Sequence, residues 1–217
     1  YLENLEKRKV EVLRLIDEQG KLTPELEAGI VQSVKMQQVE DLYRPYKQKR
    51  RTKATIAKEK GLEPLAEWLL QLNDQKVESY AQTFINEEKE VFSVEDALQG
   101  AHEIIAEQVS DTAKFRTWIR SYTYNKGSYV SLVKDADVDE KGVYEMYYDF
   151  SEPVHKMVSH RILATNRGEK EDILKVNLQV DETAVMDYLE RQLVGNPASP
   201  AASYVREAYQ DSYKRFI

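Results

Sequence analysis

The sequence predicts a mainly α-helical protein, a multi-helix bundle with a small β element near residues 172–180. Apolar residues recur at three- and four-residue spacing between charged residues along most of the chain, which is the period of amphipathic helices. The clearest period-two run is DILKVNLQV, Asp172–Val180, which predicts a strand. Glycine and proline are sparse, eight and six of 217 residues, and several stand where the helical pattern stops.

The first third of the chain predicts a helical hairpin followed by a turn. An amphipathic pattern from the first residues ends at Gly20, a typical helix stop. Thr23, which precedes a proline, is a typical helix start, and the apolar face behind it continues as far as Val39. The proline after Arg44 disfavours helix at that residue, so the chain is expected to turn there and to restart as helix near Thr55.

The middle of the chain predicts four further helices, a loop and a less regular segment. The helical stretches are 63–72, 75–84, 93–109 and 111–124. Gly127 breaks the last of them, and the polar run 134–142 is predicted to be a loop. The aromatic segment GVYEMYYDF, 142–150, is predicted to be helical.

The last third combines helices with the predicted strand. A helix from about Val158 is expected to stop at Gly168, and the strand 172–180 follows, with a partner expected in 129–133 or in the parent chain. Asp181 or Thr183 is expected to cap a helix to Val194, and a last helix runs from about Ser199 to the end. The predicted domains are a helical region 1–150, with its basic segment at 43–60, and a second helical part 151–217 with one or two short strands.

Composition narrows the class of protein. Hydrophobic residues make up 41% and charged residues 32%, and no stretch reaches the about 18 consecutive apolar residues of a membrane span, so a soluble protein without a membrane role is predicted. The absence of cysteine excludes disulfides and thiolate metal sites and fits the cytoplasm. The chain has no initiator Met and Tyr1 already lies in a helical pattern, so we expect a fragment of a longer protein.

Motifs for catalysis are missing from the sequence. The run AHEIIAEQ begins like a zinc-protease helix but has Ala106 where the second histidine should stand, so His102 is interpreted as an ordinary helix residue. His155 and His160 make a poor metal pair, and the acidic run from Asp135 lacks the glycine and the terminal Glu of a calcium loop. Glycine-rich nucleotide loops are also absent. The prediction is a non-enzyme with no cofactor and no metal.

A cluster of positive charge is the strongest functional feature. Positions 44–60 carry eight basic residues and one acid, about +7, in a chain of net charge −7, so the other residues must sum to −14. Lys and Arg can neutralise phosphates, and Tyr43 and Tyr46 could stack on bases, which suits a nucleic-acid surface. This hypothesis expects the cations to stand unpaired. The alternative is that they pair with carboxylates of the acidic helices.

Two stretches resemble the bacterial Tex transcription accessory proteins, relatives of a eukaryotic elongation factor that travels with RNA polymerase. They are DLYRPYKQKRRTKATIAKEKGLEPLA, 41–66, and MYYDFSEPVHKMVSHRILATNRGEKEDIL, 146–174. The order of the helices between them agrees, so the resemblance covers nearly the whole chain. It implies a helical region with helix-turn-helix character that lies before an RNase H-like domain, helix-hairpin-helix elements and an RNA-binding OB-fold in full-length members.

The resemblance also implies function and partners. The parent protein is expected to bind RNA or DNA and to act with RNA polymerase, and this chain is expected to contact the domains missing from it. No catalytic residues carry over. The predicted phosphate contacts, which would give little sequence readout, are Arg44, Lys47, Lys49, Arg50, Arg51 and Lys53, with a second group in SHRILATNRGEK that includes His160, Arg161, Arg167 and Lys170. The open alternatives are helix capping and salt bridges for the second group, and a docking scaffold without nucleic-acid binding for the whole chain.

Overall fold

The structure is a computed structural model that describes residues 1–47 and 51–216. Within these ranges the chain forms eleven α-helices and three strands, so the mainly α prediction is confirmed. The helices are α1 (Leu2–Asp17), α2 (Pro24–Gln32), α3 (Met36–Tyr43), α4 (Lys53–Glu59), α5 (Glu63–Leu70), α6 (Val77–Ala81), α7 (Val94–Asp111), α8 (Ala113–Lys126), α9 (Ser159–Lys170), α10 (Glu182–Leu193) and α11 (Ala202–Tyr213). The strands are β1 (Ser128–Val133), β2 (Asp149–Pro153) and β3 (Leu174–Gln179).

The chain folds into two compact units. Unit 1 comprises Tyr1–Thr117 and Met186–Ile217, and unit 2 comprises Trp118–Val185. The division differs from the predicted boundary at residue 150, which falls inside β2, because β2 and β3 both pair with β1. Among the described residues, no helix has the length and apolar character needed to span a bilayer.

Unit 1 begins with three helices around a small apolar core that includes Leu5, Ile16, Ile30 and Val39. Thr23 starts α2 as predicted, since its Oγ1 accepts the backbone N–H of Leu26 at 3.2 Å. The expectation of one continuous apolar face to Val39 is wrong, because the chain leaves the helix between Gln32 and Met36.

Helix α7 is the centre of the rest of unit 1, and α4, α5, α6 and α11 all contact it. Gly100 on α7 lets α4 and the residues that follow it pack closely on α7. A Cβ at position 100 would lie 2.2 Å from Leu62 Cδ1 and 3.3 Å from Ala57 Cβ. Any side chain would therefore push away the segment that carries α4. The close packing of α4 on α7 fixes the backbone of the basic segment on its C-terminal side.

Unit 2 is a three-stranded antiparallel sheet in the order β2-β1-β3, covered on one face by α9. Tyr129 of β1 lies opposite Leu178 of β3 in the register, and its hydroxyl is 2.6 Å from Thr165 Oγ1 of α9. The predicted strand and its predicted partner 129–133 are thus confirmed. Gly168 does not stop the helix as expected: it lies inside α9, where a Cβ would come within 2.6 Å of Leu174 Cδ1.

The segment 142–150 was predicted to be helical, and this is wrong apart from the short 3-10 helix Glu145–Tyr147. The Asp139 carboxylate accepts the backbone N–H groups of Val143 and Tyr144 and the hydroxyl of Tyr148, which holds the chain in a turn that leads into β2. Burial would raise the pKa of Asp139, but these hydrogen bonds outweigh it and lower the pKa below its ordinary value. Asp139 is therefore a structural carboxylate.

Candidate nucleic-acid interface

The described part of the basic segment is anchored on both sides. Before it, Tyr43 is 6% exposed and packs in the core of α1, α2 and α3. After it, Thr52 Oγ1 accepts the backbone N–H of Thr55 at 3.1 Å and starts α4, whose Ala54 and Ala57 are buried. The cations are therefore presented from backbone that the hydrophobic core holds in place.

Arg44 is bound to a buried carboxylate. Its Nε donates to Asp111 Oδ1 at 2.9 Å, and the Asp111 side chain is only 8% exposed. Whereas Asp111 ends α7, a second buried pair, Arg116 with Asp41 at 3.2 Å, links α8 to α3. Arg44 is thus part of the folded framework, although its own side chain remains 41% exposed.

The next two cations have exposed side chains but differ in their partners. Arg51 donates to Glu59 at 2.7 Å, and both side chains of this pair are more than half exposed. Lys53 is 81% exposed and lies 3.6 Å from Glu103, a buried carboxylate that Arg215 also binds. Exposed ion pairs contribute about 0–1 kcal/mol, so a phosphate can compete with such a carboxylate at small cost. Two lysines that the predicted site left out also have carboxylate partners: Lys58 lies 3.6 Å from Glu63, and the less exposed Lys60 lies 3.7 Å from the Glu90 carboxylate and donates to the Glu90 carbonyl. Both lysines lie within the basic positions 44–60, and this is the sequence signal that could have identified them.

Lys47 differs from the other described cations of the segment. It is exposed, and none of the carboxylates in the described ranges pairs with it. Lys49 and Arg50, the remaining predicted contacts of this group, lie outside the described residues.

The two tyrosines of the segment do not offer free rings. Tyr43 is buried, and the guanidinium of Arg8 lies 5.4 Å from its ring centroid. Tyr46 is partly buried and packs against the same core. The expectation that Tyr43 could stack on a base is wrong, because its ring belongs to the core.

In unit 2 both predicted arginines are paired. Arg161 donates to Glu152 at 2.6 Å and lies 5.7 Å from the centroid of the Phe150 ring. Arg167 donates to Glu171 at 3.0 Å, remains 76% exposed, and shares an exposed side of α9 with His160 and Lys170. The pair with Glu171 raises the pKa of Arg167 further, so its charge is permanent.

Arg161 and Arg167 form the salt bridges that were the open alternative for the second group. In the basic segment, the expectation of unpaired cations is wrong for Arg44, Arg51 and Lys53. The physical reason is the composition of the chain, whose acidic helices place a carboxylate within reach of each of them. Phosphate binding by these residues stays a prediction, and it requires exchange of one anionic partner for another.

A cleft of about 650 Å³ beside α4 limits where a phosphate could sit. Among the described residues, its charged lining contains three arginines or lysines and four carboxylates: Arg44, Lys53 and Arg215, with Glu103, Glu107, Asp111 and Asp211. The interior is thus unfavourable for a polyanion. Phosphate contacts are therefore expected outside this cleft, at the exposed side chains of Lys47, Arg51 and Lys53, which are called the outer rim.

In the described ranges, no three or more His, Asp or Glu side chains are grouped so that they could hold a metal ion. His102 lies on α7 with its Nε2 3.6 Å from Asp211, as an ordinary helix residue would.

The chain is similar to known proteins over most of its length. A family model described as Tex central region-like matches residues 73–214. Protein YdcI of Bacillus subtilis (strain 168) is 55% identical over 219 residues, which cover 100% of this chain and 30% of that protein. The transcriptional accessory protein Tex of Neisseria gonorrhoeae is 40% identical over 196 residues, 89% of this chain and 26% of that protein.

A more distant similarity reaches a eukaryotic protein. The S1 RNA-binding domain-containing protein 1 of Pongo abelii is 27% identical over 220 residues, 94% of this chain and 22% of that protein. The chain thus spans less than a third of the length of each of these relatives. The basic segment precedes the region that the family model matches, but it lies within the alignment to the Bacillus protein.

Proposed function

Because this chain belongs to the Tex family, we propose that it is a non-catalytic part of a transcription accessory protein whose basic segment contacts the phosphates of RNA or DNA. RNA polymerase and further domains of the parent chain are the proposed protein partners, and the cytoplasm is the proposed location. The Pongo abelii relative is named for an S1 RNA-binding domain, which supports RNA as one of the probes to test. Helix-turn-helix character remains part of this proposal.

The concentration of charge is the observation that carries the proposal. Eight basic residues occupy positions 44–60 of a chain with net charge −7, and the backbone on either side is anchored in the core. Each cation that meets a phosphate releases condensed counterions, which favours binding at low salt. Because the contacts are to the backbone of the nucleic acid, they position it without reading its sequence.

The outer rim is the part of the segment best suited to this role. Lys47 has no carboxylate partner among the described residues, and the exposed pair of Arg51 with Glu59 contributes little to folding. Lys53 is itself 81% exposed, and its buried partner Glu103 lies at the longer distance of 3.6 Å. Arg44 is a weaker candidate, because leaving Asp111 would cost the fold a buried ion pair.

A matched pair of triple variants tests the proposal. Lys47→Gln, Arg51→Gln and Lys53→Gln together should weaken binding to labelled single-stranded RNA and duplex DNA by about tenfold or more at low salt, since three phosphate contacts are removed. Fluorescence anisotropy measures the affinity. The control replaces the exposed Lys21, Lys76 and Lys141 by Gln, which changes the net charge equally. Equal losses in both variants, or no loss in the first, would overturn the proposal.

The competing function is a docking scaffold, and the ion pairs of Arg44, Arg51 and Lys53 favour it. If the segment serves only the fold, the first triple variant should leave any probe binding unchanged, and Arg44→Gln should lower the free energy of unfolding because it breaks the pair with the buried Asp111. Anisotropy of the triple variant and urea unfolding of Arg44→Gln measure these two effects and together separate the two functions.

A further inference from the structure

An exposed aromatic ring lies beside the basic segment, whose own tyrosines offer none. The Phe92 side chain is 65% exposed, and it lines the same cleft as Lys53 and Lys60 of the basic segment. The two parts of the chain are also joined directly, because Lys60 Nζ donates to the backbone carbonyl of Glu90 at 2.9 Å across 30 positions of sequence. The fold therefore places an aromatic surface next to the cations.

The backbone of Phe92 is held in place. Its N–H donates to Asp96 Oδ2 at 3.1 Å, and the buried Val91 before it exchanges two backbone hydrogen bonds with Asn86. Phe92 directly precedes Ser93, the N-cap of α7, which is the position of a hydrophobic staple. A staple residue packs against its helix, but most of this ring is open to solvent. The fold thus fixes the position of the ring without burying it.

The cleft has a volume of about 570 Å³. Its accessible apolar surface comes from the Phe92 ring and from Ile56 of α4, which is half-buried. Ligand pockets typically measure about 300–1,000 Å³, so the cleft is large enough for one nucleobase. Lys53, a cation of the outer rim, lines its edge.

The charges that line the cleft are already balanced. Among the described residues, three carboxylates line it and each has a donor: Glu103 with Arg215 at 2.8 Å, Glu90 with Lys60 at 3.7 Å, and Asp96 with the Phe92 N–H. Asp96 also lies in the first turn of α7, where the helix dipole offsets its charge. A phosphate would have to displace one of these carboxylates, whereas a neutral group with a flat aromatic face would not.

We propose that the cleft accepts one unpaired base of a single-stranded nucleic acid, stacked on Phe92, while the adjoining phosphates contact Lys53 and the rest of the outer rim. The inference rests on the proposed function and names single strands as the preferred ligand. Bases of a single strand can turn outwards and stack on an aromatic side chain, whereas bases of a duplex stack on each other. A duplex would therefore keep the phosphate contacts and lose the stacking.

The position of the ring beside the outer rim favours a base over an apolar side chain of a partner protein. A nucleic acid carries its bases next to its phosphates, so phosphates bound at Lys53 bring bases to the edge of the cleft. An apolar peptide would cover Phe92 but would give Lys53 no anionic partner. The combination of cation and exposed ring is the composition of single-strand binding surfaces.

Three labelled probes of equal length test the inference on the 217-residue chain. They are a single-stranded oligothymidine, an abasic strand with the same number of phosphates, and a duplex. Fluorescence anisotropy measures each affinity at low salt. The oligothymidine should bind about fivefold or more tightly than the abasic strand, because stacking adds to the phosphate contacts. Equal affinities for these two strands would overturn the inference.

Substitutions of Phe92 then locate the stacking. Phe92→Leu keeps an apolar side chain but removes the aromatic face, so it should weaken oligothymidine binding by about fivefold or more and leave the abasic strand and the duplex unchanged. Phe92→Tyr should retain the affinity. The matched control is Tyr124→Leu, which removes a ring that is 54% exposed in unit 2 and should change nothing. Circular dichroism checks that each variant is folded.

Equal losses of oligothymidine binding in Phe92→Leu and Tyr124→Leu, or a loss on all three probes in Phe92→Leu, would also overturn the inference. The abasic strand separates this result from a failure of the proposed function. If the triple variant of the outer rim weakens binding of the abasic strand while Phe92→Leu leaves oligothymidine binding unchanged, the phosphate contacts stand and only the base site is wrong. If the triple variant alters neither strand, the proposed function itself is wrong.

Discussion

At the scale of single residues, the cations of the basic segment differ in the burial of their partners. Arg44 pairs with Asp111, whose side chain is 8% exposed, whereas Arg51 pairs with Glu59, which is 53% exposed. Hydrogen bonds to charged groups contribute about 1.5–3 kcal/mol when shielded, and exposed pairs about 0–1. We predict that Arg44→Gln lowers the free energy of unfolding by about 1–2 kcal/mol and Arg51→Gln by about 0.5 or less. Urea unfolding with a common m-value measures both.

Lys47→Gln is the control for this comparison, because Lys47 is exposed and has no carboxylate partner in the described ranges. It should leave the unfolding midpoint almost unchanged. If Arg51→Gln lowered the free energy of unfolding as much as Arg44→Gln does, the proposed difference between Arg44, which stabilises the fold, and the outer-rim cations would be wrong.

The same residues show what sequence could predict about the site. Counting charges identified the segment, and the four-residue spacing of Arg167 and Glu171 is visible in the sequence. The partner of Arg44 was not predictable, since Asp111 lies 67 positions away and only the folded chain brings α7 to it. The burial of Tyr43 was equally hidden, because an aromatic residue in a basic run fits a core and a base-stacking role alike.

At the scale of elements, the contact of the α4 segment with α7 depends on Gly100. A Cβ at this position would lie 2.2 Å from Leu62 Cδ1, and Leu62 is 1% exposed and cannot swing into solvent. We predict that Gly100→Ala destabilises the protein by about 1–3 kcal/mol, although alanine is the better helix former by about 1 kcal/mol. Thermal and urea unfolding measure the change.

A double-mutant cycle tests whether overlap with Leu62 causes the destabilisation by Gly100→Ala. Leu62→Ala alone should cost about 2–5 kcal/mol, and the double variant should cost less than the sum by about 1–2 kcal/mol because the overlap is relieved. Gly195→Ala is the matched control, since nothing lies within 4 Å of the added Cβ. Additive costs at positions 62 and 100 would show that the clash is absent.

Local chemistry made most element ends predictable. Thr23 and Gly20 stand at the expected helix ends, and the alternation before Val180 identified β3. The prediction failed where distant contacts decide. Gly168 continues α9 because its missing side chain lets Leu174 approach, and the chain after Asp139 becomes a turn and a strand because that carboxylate binds two backbone N–H groups. Neither contact can be recognised from the periodicity of the local sequence.

At the scale of the whole molecule, long-range packing and net charge are the dominant features. Helix α11 packs on α7, and Arg215 reaches Glu103 across 112 positions, so the composition of unit 1 from two separated stretches was beyond sequence reasoning. The charge balance, by contrast, was fully available: about +7 in positions 44–60 and −14 elsewhere. A polyanion that approaches this chain is repelled by most of its surface, so productive contacts should be few and confined to the basic segment.

The number of those contacts can be measured from salt dependence. For each phosphate neutralised, the slope of log K against log salt changes by about −0.9 on duplex DNA and about −0.7 on single strands. If Lys47, Arg51 and Lys53 each bind a phosphate, their joint replacement by Gln should reduce the magnitude of the slope by about 2 to 3 units. The Lys21, Lys76 and Lys141 control alters net charge equally, so its slope should match that of the unsubstituted chain. Parallel lines for all three proteins, offset only in affinity, would mean that the rim cations do not touch phosphates and that the segment acts within the fold.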